Sequence, residues 1–379
     1  MNNISFFGLD KYYSRHSKEI LRITDECYSS GMFLMGKQVQ LFEDKMKKLA
    51  GRKYAVAVGS CSDALYFALV SSGVKPGDHI LITSFTYIAS VTPIIRAGAV
   101  PVFVDIDPEN YMMDPDDLRK KITGKTKAII AVHLGGQCLP MAETEKIANE
   151  HGLILIEDAA QALGCTQSGR QAGNLGDISC FSFDPTKIIG AFGTGGIVAT
   201  DDRSICETVT RLRFHGKNME TGAFETLGYN SQLATAQAAL LDYQLGMMKE
   251  IITQRNKIAA FYYENLKQIN GIRMRKLENG NNCTYSKCII EADRRDELLV
   301  FLKSSGIPAM IHYPVPVFKQ PVIKNHPHEA KRMKSVYDVC AKVLSLPVHT
   351  ELTENEIIRI CKTIAELYGF NSMISNNKF

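Results

Sequence analysis

The 379-residue sequence predicts an α/β fold built on a mostly parallel seven-stranded sheet, followed by a smaller C-terminal α/β domain. Three observations carry that reading. Between residues 54 and 200, short β-rich runs alternate with helix-length segments. Seven such runs occur, at 54–58, 80–83, 100–104, 128–132, 153–157, 178–183 and 196–200, and the alternation argues for parallel strands with helices on both faces. Beyond residue 232 a long proline-free stretch gives way to different punctuation, which marks the passage into a second domain.

The run at 54–58 leads into Gly59-Ser60-Cys61-Ser62-Asp63-Ala64-Leu65, a small-residue turn opening an amphipathic helix over 63–72. Backbone N–H groups at such a helix start suit a phosphate, and Ser62 adds a hydroxyl. A helix over 141–151 precedes the apolar run Leu153-Ile154-Leu155-Ile156, which ends in Glu157-Asp158-Ala159-Ala160-Gln161. The run at 178–183 leads into Ser182-Phe183-Asp184-Pro185-Thr186-Lys187, and the glycines that follow let the backbone turn closely around that lysine. The stretch 232–268, with Ala234, Ala236, Ala238, Ala239 and Leu240, reads as a long helix bridging a large domain (1–245) and a small one (246–379). The small domain is expected to hold strands at 273–276, 288–291 and 309–312 and helices at 295–305 and 354–368, ending in a frayed tail over 371–378.

Composition narrows the class. A chain with 45% hydrophobic and 22% charged residues is ordinary for a soluble globular protein, and its length suits two domains. The net charge of +4 is small and dispersed, which speaks against nucleic acid as a partner. No stretch reaches the roughly 18 apolar residues of a membrane span, and Met1-Asn2-Asn3-Ile4-Ser5 lacks the basic-then-apolar pattern of a signal segment. A cytoplasmic protein without membrane partners is expected. Ten cysteines lie scattered without a CxxC pair, so free buried thiols are expected rather than a metal site or a disulfide framework.

A carboxylate at a strand end followed by a lysine in a polar turn is the pair that pyridoxal 5′-phosphate needs. The cofactor's aldehyde forms a Schiff base with a lysine amine, and its pyridine nitrogen keeps its proton against a buried carboxylate. Lys187 and Asp158 are the candidates. Asp158 and the turn after Val58 both fall at strand carboxyl ends, where sheets of this kind bind ligands. Taken alone, Asp158 reads equally as a helix N-cap and Lys187 as a solvated surface charge.

The surrounding phrases resemble the sugar-aminotransferase family of the DegT/DnrJ/StrS type, pyridoxal-phosphate enzymes with the aspartate aminotransferase fold. The resemblance runs over nearly the whole chain. It rests on Glu157-Asp158-Ala159-Ala160-Gln161, Ser182 to Lys187, Gly193-Thr194-Gly195-Gly196, Ser84-Phe85-Thr86-Tyr87, Gly228-Tyr229-Asn230-Ser231 and His312-Tyr313-Pro314. It implies that Tyr87 stacks on the pyridine ring, that Gln161 contacts the ring hydroxyl, and that Ser62, the Asp63 backbone and Ser182 hold the phosphate. The Asp63 side chain is left free to cap its helix. Asn230 would reach the phosphate of the neighbouring subunit, making a homodimer with shared sites. His312 and Tyr313 read either as contacts to the sugar or as structural residues. Gln232 stands where the family commonly has an arginine, which removes a cation that could hold an anionic substrate group. The implied reaction moves nitrogen from an amino acid, glutamate, to a nucleotide-linked keto-sugar, with C3 favoured over C4. Lys187 argues against a sugar dehydratase, in which histidine replaces the lysine; a silent cofactor-binding regulator is the remaining alternative.

Overall fold

The computed structural model describes residues 4–275, 277 and 281–370. Among them, β1 (Tyr54–Val58), β2 (His79–Thr83), β3 (Val100–Val104), β4 (Thr126–Val132), β5 (Ile154–Asp158), β6 (Ile178–Ser182) and β7 (Gly196–Thr200) form the expected sheet. Its order is β1-β7-β6-β5-β4-β2-β3. Every pair is parallel except those made by β7, which runs against both neighbours. The 183–195 connection into β7 carries no helix, so the strand returns antiparallel instead of crossing over. All residues of β2, β6 and β7 are buried, as strands covered on both faces must be.

The helix after β1, Cys61–Ser71, buries Ala64, Leu65, Tyr66, Phe67, Ala68 and Leu69 in succession, the signature of an interior helix apolar all round. Ser60 caps it, its Oγ accepting from the Asp63 N–H at 3.1 Å. The capping turn lies so close to β7 that a Cβ on Gly196 would stand 2.4 Å from the Ser60 carbonyl carbon. Glycine is required there by space alone.

The expected long helix runs unbroken over Thr235–Leu266. The helices Leu9–Ser29 and Lys37–Leu49 pack against it, as does Glu354–Leu367 from the far end of the chain. Beyond it an antiparallel sheet joins β8 (Ile272–Met274), β9 (Cys288–Ala292) and β10 (Val343–Leu346) in that order. Two of its strands match expectation; the third does not. Residues 309–312 form only a single bridge, Met310 to Ser345, with N···O distances of 3.2 and 2.7 Å. Pro308, Pro314 and Pro316 flank that segment, and prolines cannot donate to a ladder, so the short run Val343–Leu346 takes the place. The expected tail at 371–378, and Lys276 at the end of the first strand, lie outside the described residues.

Alternation along β9 decides what faces the large sheet. Cys288 and Ile290 join a core with Tyr262, Leu302 and Ile360, into which Ile4 from the start of the chain also inserts. Ile289 points the other way, into the core of the seven-stranded sheet. Lys287, the residue just before β9, is buried as well. No helix among the described residues is long and apolar enough to cross a membrane.

Candidate active site

A cavity of about 500 Å³ opens at the carboxyl ends of the parallel strands. Ser62 reaches it from the first turn of the Cys61–Ser71 helix, Tyr87 from the turn after β2, Asp158 as the last residue of β5 and Ser182 as the last of β6. Lys187 comes from the β6–β7 connection and Gln161 from the turn after Asp158. The architecture thus collects on one rim residues spread over more than a hundred positions.

Lys187 sits in a stiff turn. Its N–H donates to the Asp184 carbonyl at 3.0 Å, while the Asp184 carboxylate accepts from the Thr186 N–H at 3.0 Å and hydroxyl at 2.6 Å. Behind it the Gln244 amide clamps Gly190, accepting from its N–H at 2.9 Å and donating to its carbonyl at 2.7 Å. A Cβ on Gly190 would meet the Pro185 carbonyl oxygen at 2.6 Å, so the turn closes only with glycine.

Two adjacent carboxylates at the end of β5 point to opposite sides of the sheet and are handled differently. Glu157, fully buried, accepts from the N–H groups of Gly173, Leu175 and Gly176 at 2.7–2.8 Å and meets His133 Nε2 at 3.0 Å. Burial alone would raise its pKa, but His133 and these backbone donors hold it below the ordinary carboxylate value. It is a structural knot. Asp158, 3% exposed, faces the cavity; Ser90 Oγ donates to its Oδ2 at 2.6 Å and the Ala160 N–H to its Oδ1 at 3.2 Å. No helix follows Asp158, residues 159–165 holding only turns, so the N-cap reading fails and the Ala160 contact is a turn contact.

The opposite wall comes from the C-terminal part of the chain. His312 bonds Ser345 Oγ through Nδ1 at 2.9 Å. Burial, with Lys287 and Lys187 nearby, drives its pKa down to about 3, so the ring is neutral at physiological pH. Tyr313 accepts from Gln161 Nε2 at 3.2 Å and stacks on Tyr87 with ring centroids 6.1 Å apart; burial pushes its phenol well above the ordinary value. Gln161 Oε1 accepts from the Gly135 N–H at 3.0 Å, so both ends of that amide are fixed.

Two expected residues stand apart from this group. The Asp63 N–H is engaged by Ser60 Oγ, and the Asp63 side chain binds Arg96 at 2.8 Å and the Ser231 hydroxyl at 2.8 Å, outside the cavity. The cap requires that N–H, so Ser62, Ser60 and the helix end are what the turn offers a phosphate. Asn230 is exposed, accepts from Gln232 Nε2 at 3.1 Å, and does not line its own chain's cavity. Cys61 does line it, and burial lifts its thiol well above the ordinary range. Three polar lining residues were not expected from sequence: Ser90, His133 and Lys287. Each is brought in by tertiary packing, with no motif to announce it.

The donor set suits pyridoxal phosphate. Hydroxyls of Ser62 and Ser182 and the start of the Cys61–Ser71 helix would hold the phosphate, Asp158 would meet the pyridine nitrogen, and Lys187 offers its amine. Among the described residues Asp158 accepts only one hydrogen bond at each oxygen, which leaves acceptor capacity facing the cavity for a protonated ring nitrogen.

Comparison with known proteins agrees with this geometry. The chain is 38% identical over 368 residues to the pleiotropic regulatory protein of Geobacillus stearothermophilus, covering 97% of this chain and 99% of the relative. It is 34% identical over 361 residues to UDP-2-acetamido-2-deoxy-3-oxo-D-glucuronate aminotransferase of Pseudomonas aeruginosa, covering 95% and 99%. Among solved structures, DesV of S. venezuelae in complex with a ketimine intermediate superposes with a TM-score of 0.93 at 32% identity, covering 97% of this chain and 99% of that one. The fold is that of the pyridoxal-phosphate-dependent aminotransferases. The family description that matches residues 14–365 says the same, and the chain belongs to the DegT/DnrJ/EryC1/StrS aminotransferase family.

Proposed function

We propose that the protein is a pyridoxal-phosphate-dependent aminotransferase that carries the amino group of L-glutamate to the keto group of a nucleotide-linked 3-keto sugar. The observation that carries the reading is the pairing of Lys187 with the buried Asp158 across one cavity at the strand ends. The name of the Pseudomonas relative supports a 3-oxo sugar nucleotide as acceptor.

When bound, pyridoxal phosphate supplies an electron sink and carries nitrogen between the two substrates. The chain's own groups do the rest. Lys187 Nζ is placed to take a proton from the donor's α-carbon and return it on the other half of the cycle. Asp158 holds the proton at the pyridine nitrogen, and the Ser90 and Ala160 donors fix the carboxylate's direction. Neutral His312 and the stacked pair Tyr87 and Tyr313 form the wall against which the sugar is oriented.

A homodimer with shared sites is part of the proposal. Leu227 is 92% exposed, Phe224 69% and Phe33 58%, an apolar display near Asn230 that a second copy would cover. Mixing Lys187→Ala and Asn230→Ala chains should restore activity at sites where both residues are wild type; recovery of none would sink the shared site. The cytoplasm is the proposed location, since all ten cysteines are unpaired, as in a reducing compartment.

The Geobacillus relative's name favours a second reading, a regulator that keeps the fold. The deciding experiment incubates the purified protein and glutamate with a panel of keto-sugar nucleotides, following 2-oxoglutarate and the amino sugar by mass spectrometry. Amine transfer to a 3-keto member supports the proposal. Bound cofactor without any transfer, and without a glutamate-dependent change in absorbance, supports the regulator.

A further inference from the structure

Lys287 is buried to 8% exposure, yet among the described residues its ammonium has no hydrogen-bond or ion-pair acceptor; its one ring contact is with Phe7, 5.0 Å from the centroid. It lines the cavity beside Lys187 and His312. It stands one residue before β9, where its backbone N–H donates to the Gly135 carbonyl at 3.3 Å. Burial, then the charges of Lys187 and Arg255, push its pKa down to about 7, with Asp184 opposing.

Arg255 repeats the pattern one layer away. It is 8% exposed, one guanidinium nitrogen donates to the Tyr285 carbonyl at 2.9 Å, and its Nε is buried without a partner. It lines a neighbouring cavity of about 320 Å³ that shares Phe7 and Lys187 with the first. Three cations therefore crowd around Phe7, and Asp184, the acid that acts on Lys287, already has an oxygen committed to Thr186. A buried cation lacking an anion is a heavy charge on stability unless a ligand provides one.

We propose that Lys287, backed by Arg255, is a carboxylate-binding subsite of this cavity. Resting on the aminotransferase reading, it gives the carboxylate two possible sources, the donor amino acid or a uronate-type sugar. The arriving carboxylate takes a charge-assisted hydrogen bond from the ammonium inside a water-poor wall, where such bonds are strong.

The test is calorimetric titration of the cofactor-loaded protein with glutarate and, separately, with UDP-glucuronate, using glutaramide and UDP-glucose as controls that lack the respective carboxylates. In Lys287→Met, affinity for one of the two acids should fall about tenfold or more, the loss of one hydrogen bond to a charged group. The controls should not change, Lys287→Arg should restore most of the affinity, and the melting temperature should not fall. Loss confined to glutarate assigns the subsite to the donor; loss confined to UDP-glucuronate assigns it to the sugar. Equal acid binding in wild type and Lys287→Met, no acid binding by wild type, or a variant that instead releases the cofactor overturns the proposal. Because no turnover is read, acid binding without amine transfer would defeat the aminotransferase reading and leave the subsite standing.

Discussion

The floor and the wall of the cavity are built on opposite terms. On the floor, at the rim of the seven-stranded sheet, Asp158 and Gln161 already have protein partners: Asp158 has Ser90 and Ala160, and Gln161 has Gly135 and Tyr313. On the wall, supplied by the three-stranded sheet and the segment after it, His312 and Tyr313 are bonded but Lys287 is buried with no acceptor among the described residues. The difference teaches what each side is for. A pre-satisfied floor suits a ligand that stays, because its groups need no rearrangement to receive it. An unsatisfied wall suits a ligand that arrives with charge and leaves again.

The largest effect should come from exchanging the roles of the two lysines. Lys187→Ala should remove the borohydride-reducible lysine adduct and lower turnover by at least about 10²–10⁴-fold, the range for a lost acid–base group. Peptide mass spectrometry after reduction checks it. An adduct on Lys287 in the wild type would reverse the assignment of floor and wall.

Asp158→Asn comes next. An amide cannot hold the pyridine proton as a carboxylate does, so turnover should fall by about 10²-fold or more while cofactor affinity changes by less than about tenfold. Steady-state rates and a cofactor titration measure the two quantities. Turnover within about twofold of wild type would reduce Asp158 to a structural acceptor for the Ser90 hydroxyl and the Ala160 N–H.

The same contrast explains how much could be read from the sequence. Floor residues sit at strand ends and in the turns that follow, so local signals reach them: an apolar run ending in Glu157-Asp158, small residues before the Cys61–Ser71 helix, glycines around Lys187. All seven strands of the large sheet were legible for the same reason, each a compact run between helix-length segments. The N-terminal helices Leu9–Ser29 and Lys37–Leu49 are heavily charged and bury only a narrow stripe, which gives weak evidence in a single sequence. Ser90, His133 and Lys287 become site residues through strand pairing and sheet packing, which no local pattern encodes. The misplaced strand at 309–312 belongs here too: its apolar residues resemble a strand, and only pairing with Ser345 shows that the ladder stops at one bridge.

The unsatisfied wall also predicts a pH signature. Lys287 has a pKa lowered from 10.5 to about 7 by burial and by Lys187 and Arg255. Between those values the unfolded chain binds a proton that the folded one does not, so folded stability rises with pH across that window. The cost of the lysine is therefore full below about pH 7 and is gone near pH 10.5. Lys287→Met should be more stable than wild type by about 2–4 kcal/mol at pH 6.5, with the advantage shrinking as pH rises toward 10. Paired denaturation curves at several pH values measure this difference and cancel titrations common to both proteins. A pH-independent difference would mean that Lys287 stays protonated with a partner, and the contrast between wall and floor would narrow.

The smallest effect tests the side-chain hydrogen bond from Gln161 on the floor to Tyr313 on the wall. Tyr313→Phe keeps the ring stacked on Tyr87 but leaves Gln161 Nε2 without its acceptor, while Oε1 stays bound to Gly135. A buried amide donor left unpaired costs about 1–3 kcal/mol. Stability should drop by that amount, and turnover should fall only a few-fold, because the ring that shapes the wall and the carboxylate that serves the cofactor are both intact. A loss as deep as that of Asp158→Asn would show that the phenol acts on the reacting atoms themselves. The wall would then carry chemistry as well as recognition.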